Sequence, residues 1–196
     1  MSNIYQLKVQ LEGATKPPIW RQLHVPQDIS LYLLHCCIQG AMGWCNSHLH
    51  QFIINGEYYG ISLPDDDMDM EDERPIKLDT VLKNEKAHIM YEYDFGDGWI
   101  HRITLEKKLP TDAKQIYPLL IQGKGACPPE DCGGVWGYED LKEKMSNPDH
   151  EEYEEMLEWL GDEEFDPNEF DLKQHQKDMM ASYKAGIKDK GKSFEM

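Results

Sequence analysis

One stretch decides the fold: Tyr91-Glu92-Tyr93-Asp94-Phe95-Gly96-Asp97-Gly98-Trp99-Ile100-His101, in which aromatic residues, two aspartates, two glycines and a histidine stand close together. The glycines separate two runs rich in aromatic and β-branched residues, which is the pattern of a β-hairpin with polar groups at its tip. The sequence therefore predicts two antiparallel strands here. Several side chains of the same stretch also have the chemistry of a functional site.

Burial predicts the register of this hairpin. A three-residue loop, Gly96–Gly98, gathers the large aromatic side chains on one face and lets Gly98 take the left-handed conformation of a bulged loop. The expected pairs on the buried face are Phe95 with Trp99 and Tyr93 with His101.

Further strands and a helix are expected before the hairpin. Residues 4–11 and 19–25 have the period-two alternation of half-buried strands. Ser30–Met42 has helical spacing with Ser30 or Asp28 as N-cap. Asn55-Gly56 is a type I′ turn signal between two more strands in residues 48–61.

The chain changes character after residue 110. Prolines and glycines predict an irregular connection up to residue 137, without regular elements. Three helices are then expected: over Tyr138–Ser146, after the Asn147-Pro148 cap, and after the capping box Asp166-Pro167-Asn168-Glu169. The expected fold is α+β, with a mainly antiparallel, roll-like sheet covered by one helix and followed by a helical C-terminal part. Residues 1–175 would form a single domain, and residues 176–196 the end of the last helix and a flexible tail.

Composition excludes several classes of function. With 20 basic and 37 acidic residues the net charge is −17, which argues against direct binding to nucleic acid or to an anionic membrane. The chain shows neither a signal-peptide pattern nor 18 consecutive apolar residues, so we expect a soluble, cytoplasmic protein. The tryptophans are expected to anchor the core and not to stack on bases: Trp20, Trp44, Trp99, Trp136 and Trp159.

Seven of the nine residues from Asp65 to Glu73 are acidic. Like charges of this density favour a solvated, extended loop. A divalent-cation site is the alternative, although the run lacks the glycine and terminal glutamate of an EF-hand loop.

A second constellation is Cys127-Pro128-Pro129-Glu130-Asp131-Cys132-Gly133-Gly134. Two thiols on a stiff turn suit a zinc site, a disulfide or a pair of reduced, structural cysteines, and the sequence leaves all three open. Zinc is the candidate cofactor. Because it needs about four ligands, two more must come from elsewhere, and the candidates are His48, His50 and His101, the first two on one expected strand face.

Carboxylates near the hairpin are the candidates for general acid and base chemistry. Asp94, on the polar face of the hairpin, Asp97, at its tip, and Glu130 would act together with His101. The alternative is that the aspartates only stabilise the turn beside the glycines.

The motifs taken together resemble the plasmid pRiA4b ORF-3-like family. Those that carry the resemblance are Pro17-Pro18-Ile19-Trp20-Arg21, Leu34-His35, Ala41-Met42-Gly43-Trp44, His48-Leu49-His50-Gln51-Phe52, Tyr93-Asp94-Phe95-Gly96-Asp97 with Trp99 and His101, and the cysteine motif. They run in the family's order from about Tyr5 to Leu172. The resemblance implies an α+β fold of roll type, no established activity, and an association with plasmids and transposons.

Three hypotheses for function follow. The first is a non-enzymatic binding or interaction module, which contacts protein partners through a groove beside the hairpin tip and the cysteine motif. The second is a metal-dependent hydrolase that holds zinc through Cys127, Cys132 and histidines, with Asp94 or Asp97 as base. The third is an accessory protein of plasmid or transposon DNA mobilisation that acts through protein partners.

Overall fold

The computed structural model describes residues 3–13, 15–61, 70–161 and 165–189. Its strands are β1 (Asn3–Leu11), β2 (Trp20–Pro26), β3 (His50–Ile54), β4 (Glu57–Gly60), β5 (Glu71–Asp72), β6 (His88–Tyr93), β7 (Trp99–Pro110) and β8 (Leu119–Lys124). Its helices are α1 (Leu31–Met42), α2 (Leu78–Val81), α3 (Gly134–Met145), α4 (Tyr153–Trp159) and α5 (Leu172–Asp189).

The strands join into one sheet in the order β5-β4-β3-β6-β7-β1-β2-β8. Neighbouring strands are antiparallel, except that β4 and β5 are parallel. In β1, Leu7 and Val9 are buried while Gln6 and Lys8 are half-buried, so the alternation in the sequence separates a core face from a polar face. The predicted α+β class with a mainly antiparallel sheet is confirmed.

Helix α1 packs on the core face of this sheet. Ser30 caps its first turn, where the side-chain oxygen accepts a hydrogen bond from the Leu33 backbone N–H at 3.3 Å, and Gly43 ends it with a φ of 106°. His35 and Gln39 of α1 lie 2.8 Å and 3.0 Å from the phenol oxygen of Tyr91 in β6. These hydrogen bonds join the helix to the centre of the sheet.

Helix α5 covers the outer side of α1. Gly40 of α1 faces Met179 of α5 so closely that a Cβ atom on Gly40 would lie 2.5 Å from the Met179 Cα. Met179 is fully buried. The absence of a side chain at Gly40 therefore lets the two helix backbones approach, and α1 is enclosed between the sheet and α5.

The register of the β6–β7 hairpin differs from the prediction by two residues. Tyr93 pairs with Trp99 and Tyr91 pairs with His101. The loop therefore comprises the five residues 94–98, and not only the predicted Gly96–Gly98. A shift of two keeps the side chains within the strands on their predicted faces. The aromatic residues of the strands and His101 are buried as expected, whereas Phe95 lies in the loop and is half-buried.

Asp94 explains the longer loop. Its φ is 57°, and its carboxylate Oδ1 accepts hydrogen bonds from the backbone N–H of Gly96 at 2.9 Å and of Asp97 at 3.4 Å. Its own N–H donates to the Leu49 carbonyl oxygen at 2.9 Å. The prediction that Asp94 lies on the polar face is wrong, because these bonds turn it inward and leave it 7% exposed.

The acidic run divides into separate parts. Asp65–Asp69 lies outside the described residues. Glu71 and Asp72 form the exposed edge strand β5, whereas Glu73 is fully buried under α1. The prediction of a solvated loop is therefore wrong for Glu73, whose carboxylate lies 3.0 Å from a histidine of β3.

The C-terminal part also differs from its prediction. Strand β8 lies in the segment expected to be irregular, and it pairs with β2 at the sheet edge. Helix α4 begins at Tyr153 and not after Pro148, and α5 begins at Leu172 because Asp171, not the capping box, accepts the N–H bonds of its first turn.

Of the tryptophans, Trp136 is 87% and Trp159 47% exposed, so neither is a core anchor. None of the described helices has the length and apolar character of a membrane span.

Gly40→Ala tests the contact between α1 and α5. At an open helical position alanine is more favourable than glycine by about 0.5–1 kcal/mol. Here we expect the opposite sign, a loss of about 1–3 kcal/mol in the free energy of unfolding, because the methyl group would collide with the α5 backbone. Urea denaturation measures the change, and a stabilised variant would contradict the close approach.

Candidate functional site

Three segments of the chain meet at His48. This residue lies just before β3, Asp94 opens the hairpin loop, and Glu130 and Asp131 belong to the cysteine loop, which we define as residues 127–134. The His48 Nε2 atom lies 3.2 Å from Glu130 Oε2 and 3.4 Å from Asp131 Oδ1, and Nδ1 lies 3.7 Å from Asp94 Oδ2. Within the described ranges, His48, Asp94 and Asp131 form a metal-type group whose ligand atoms all lie within 4.8 Å of one another.

The His48 ring has an unused nitrogen. Nε2 is shielded from solvent but has no hydrogen bond, so its short distances to Glu130 and Asp131 reflect proximity without hydrogen-bond geometry. A shielded polar atom without a partner is unfavourable. The nitrogen is therefore available to a ligand that approaches between these carboxylates.

Glu130 is held in place by the surrounding backbone and by a tyrosine. Its Oε1 accepts a hydrogen bond from the Cys45 N–H at 2.7 Å, and the Tyr93 hydroxyl donates to the carboxylate at 3.0 Å. The same hydroxyl accepts from the Ser47 N–H at 3.0 Å. Burial and the neighbouring Glu130 raise the pKa of Tyr93, so the phenol stays protonated and remains a donor.

The hairpin tip and the cysteine loop are in direct contact. Asp97 Oδ2 accepts a hydrogen bond from the Gly133 N–H at 3.2 Å. A Cβ atom on Gly134 would come within 2.4 Å of the Asp97 carbonyl oxygen, so this contact requires glycine. On the other side, the Trp44 indole N–H donates to the Pro128 carbonyl oxygen at 3.0 Å. Asp97 therefore joins the two motifs, and its carboxylate is occupied in doing so.

Cys127 and Cys132 are both free thiols. Burial raises the pKa of the Cys132 thiol to about 12, and it raises the pKa of Cys127 strongly although the nearby Arg21 guanidinium opposes the shift. Both sulfurs are therefore held protonated at neutral pH. A metal at this position would have to displace two protons from buried groups.

His101 is a core residue in this structure. It is fully buried, its Nδ1 lies 2.9 Å from the Trp99 carbonyl oxygen, and its ring meets the Trp44 ring edge-on. Burial lowers its pKa to about 3, so the imidazole is neutral. It has no contact with the carboxylates that were predicted to share its chemistry.

A second polar cluster lies beneath α1. The rings of His35 and His50 stack with their centroids 3.4 Å apart, and His50 Nε2 lies 3.0 Å from Glu73 Oε1. Burial lowers the pKa of His50 to about 3 and raises that of Glu73 to about 8. The carboxyl group is therefore protonated over much of the neutral range, and a neutral acid faces a neutral imidazole.

The predicted ligands thus divide among different places. His48 joins the carboxylate cluster, His50 faces Glu73, His101 packs in the aromatic core, and the two cysteines lie in their own loop. Alternation had predicted one strand face for His48 and His50, but His48 lies before β3 begins. Asp131 had been noticed only as part of the cysteine motif, and no spacing in the sequence singled it out as a ligand.

A family model matches most of the chain, and the descriptions of two similar proteins assign no activity. A family model described as "Plasmid pRiA4b ORF-3-like protein" matches residues 3–174. The "Uncharacterized protein y4hQ" of Sinorhizobium fredii (strain NBRC 101917 / NGR234) is 38% identical over 169 residues, which cover 85% of each chain. The crystal structure of a protein of unknown function, MM3350 from Methanosarcina mazei Go1, is 38% identical with a TM-score of 0.78, and the match covers 88% of this chain and 97% of that one.

Glu73→Gln tests the buried acid. Because the folded protein raises the pKa of Glu73 from 4.5 to about 8, it binds more protons than the unfolded chain between these values, and stability falls as pH rises through this window. The buried histidines, whose pKa values are lowered, affect the free energy of unfolding only below about pH 6.5, where they make it rise with pH. We therefore expect the free energy of unfolding to decline by at most about 1.4 kcal/mol per pH unit between pH 6.5 and 8. Glu73→Gln should abolish this decline, because the amide does not titrate.

Urea denaturation at several pH values measures this slope. Glu71→Gln is the matched control, because it removes a carboxylate from the exposed strand beside Glu73. An unchanged slope in Glu73→Gln would contradict the assignment.

Proposed function

The chain belongs to the plasmid pRiA4b ORF-3-like family, and on that premise we propose that it is a binding module that holds a divalent transition-metal ion at His48. One observation carries the proposal: three segments bring an imidazole with an unused nitrogen together with the carboxylates of Asp94, Glu130 and Asp131. Zinc is the first candidate ion, since it accepts both nitrogen and carboxylate ligands.

Distances within the cluster are compatible with coordination. Ligands at about 2.0–2.2 Å from a zinc ion are about 3.4 Å apart in a tetrahedral site, and His48 Nε2 lies 3.2 Å and 3.4 Å from oxygens of Glu130 and Asp131. Asp94 faces the other ring nitrogen. In this arrangement it would orient the imidazole from behind, as carboxylates commonly do for metal-bound histidines.

Charge supports the same proposal. Three carboxylates around one imidazole repel one another when they are ionised, and a cation between them would offset that repulsion. Asp94 and Glu130 are already fixed by hydrogen bonds from backbone N–H groups, whereas the Asp131 side chain is 73% exposed and free to adjust. Little reordering is therefore needed for binding.

The cysteine loop is the competing position for zinc. Cys127 and Cys132 would each have to lose a proton that burial retains. The His48 Nε2 atom, in contrast, has no hydrogen bond that an ion would have to replace. We therefore place the ion first at His48.

A metal-dependent hydrolase is the second candidate function. Catalytic zinc sites combine three protein ligands with an open position for water, and the exposed side of Asp131 leaves such a position at this cluster. Neither predicted base would reach a water on this ion, because the Asp97 carboxylate is engaged with the Gly133 N–H and Asp94 faces the opposite ring nitrogen, from which it would orient the imidazole. Hydrolysis of p-nitrophenyl esters by the zinc-loaded protein, lost in Asp94→Asn, would favour this function over simple binding.

His48→Gln tests the metal site directly. In calorimetric titration of the tag-free protein with zinc, we expect the affinity to fall at least about 10–100-fold, the range that loss of an outer-shell partner alone can cause. His88→Gln is the matched control, because His88 is exposed on β6 and lies away from the cluster. Equal zinc affinity in the two variants would overturn the proposal.

The double variant Cys127→Ser/Cys132→Ser separates the two positions. We expect it to bind zinc with the stoichiometry of the unmodified protein, because neither thiol belongs to the His48 cluster. Elemental analysis after dialysis against zinc measures the bound ion. Loss of the metal in this variant, with retention in His48→Gln, would move the site to the cysteine loop.

A further inference from the structure

Strand β5 is a short cover on one edge of the sheet. It consists of Glu71 and Asp72, which are exposed and pair in parallel with Tyr59 and Gly60 of β4. The next residue, Glu73, donates its backbone N–H to the Gly60 carbonyl oxygen at 3.2 Å. Among the described strands β5 is the outermost on this side, so its departure would leave β4 with a free edge.

The Glu73 side chain anchors this cover in the core. It is fully buried, its Oε1 lies 3.0 Å from His50 Nε2, and its Oε2 is buried without a hydrogen bond from any described residue. A buried carboxyl group with an unpaired oxygen is much less unfavourable when it is protonated than when it is charged. The anchor therefore depends on one proton.

Within the described part of the chain, no group around Glu73 is free to offset a negative charge on it. The titratable side chains that face it from other elements are Tyr32, His35 and Cys36 of α1, His50 of β3 and Tyr91 of β6. Burial lowers the pKa of both imidazoles and raises the pKa of the phenols and the thiol, so all of them are neutral at pH 8.

The charged neighbours of Glu73 on its own segment are Asp72 and Arg74. The Arg74 guanidinium is engaged with the Asp72 carboxylate, with nitrogen–oxygen distances between 2.8 and 3.0 Å. An ionised Glu73 would therefore be a buried anion without a cation of its own.

From this arrangement we propose that β5 is a proton-controlled cover, which leaves the edge of β4 when Glu73 loses its proton. Moving a two-residue strand breaks few hydrogen bonds, whereas an anion that stayed in place would remain unpaired and out of water. The opening would carry Glu73 into solvent, free the N–H and C=O groups at the outer edge of β4, and uncover the imidazole of His50. The metal cluster takes no part in it, because Glu73 is not a member of that cluster.

The direction of the pH effect follows from the closed and the open state. In the closed state burial raises the pKa of Glu73 to about 8, and in the open state the pKa returns to its ordinary value of 4.5. Because the open state loses its proton more readily, opening becomes more favourable by up to about tenfold per pH unit between these values and levels off above them. The histidines oppose this trend only below about pH 6.5.

Hydrogen exchange of the backbone amides of Glu73 and Ile76 measures the opening, because these N–H groups bond to Gly60 and Glu73. In the unmodified protein with EDTA, we expect the opening equilibrium, corrected for the intrinsic exchange rate, to rise about tenfold from pH 6.5 to 8. Glu73→Gln should remove this rise. Glu71→Gln is the matched control and should retain it, because it removes an exposed carboxylate from β5.

Low concentrations of urea separate this local opening from unfolding of the whole chain. Local opening exposes little surface, so exchange at Glu73 and Ile76 should not respond to urea, whereas exchange of the core amides of β1 should. If Glu73→Gln does not fold, the pH and urea profiles of the unmodified protein still decide. An opening equilibrium that does not change with pH, an equal rise in Glu73→Gln, or a urea response equal to that of β1 would overturn the proposal.

Discussion

The carboxylate of Asp94 is the interaction on which both the hairpin and the candidate site depend. One oxygen fixes a left-handed turn by accepting N–H bonds from Gly96 and Asp97, and the other faces His48. The backbone N–H of Asp94 is bonded to Leu49, next to that histidine. The residue that follows strand β6 therefore also positions the imidazole, so the shape of the hairpin determines the geometry of the candidate site.

The cysteine loop is positioned by several modest contacts at once. Trp44 holds it through Pro128, the hairpin tip holds it through Gly133, and Tyr93 holds Glu130. Each is a single hydrogen bond, worth only about 0.5–1.5 kcal/mol net. Because they come from the residue after α1, from the hairpin loop and from β6, they hold the cysteine loop from three directions, and the Glu130 carboxylate acquires a defined position.

Much of the fold could be predicted because its signals are local. The N-cap Ser30, the Asn55-Gly56 turn and the alternation of β1 and β2 depend on neighbours along the chain, and the structure confirms them. The hairpin register was missed because Asp94 forms its own turn, which competes with the glycine signal. Strand β8 was missed because its pairing with β2 outweighs a weak local pattern.

The site was harder to predict than the fold, because it is made by contacts between distant segments. Sequence patterns identified His48, Asp94 and Glu130 separately, but nothing in the spacing showed that they converge while His50 and His101 turn away. The burial of Glu73 was equally hidden. It stands at the end of an acidic run, and only the fold shows that it lies beneath a helix.

In helix α5 the end of the family match and the end of the packed core fall at different residues. The family similarity stops at residue 174, three residues into this helix, yet Met179 fills the core and Gly40 accommodates its backbone. The family match therefore ends before the packed core does. A chain cut at the end of that match would lose Met179 and expose the face of α1 that α5 covers.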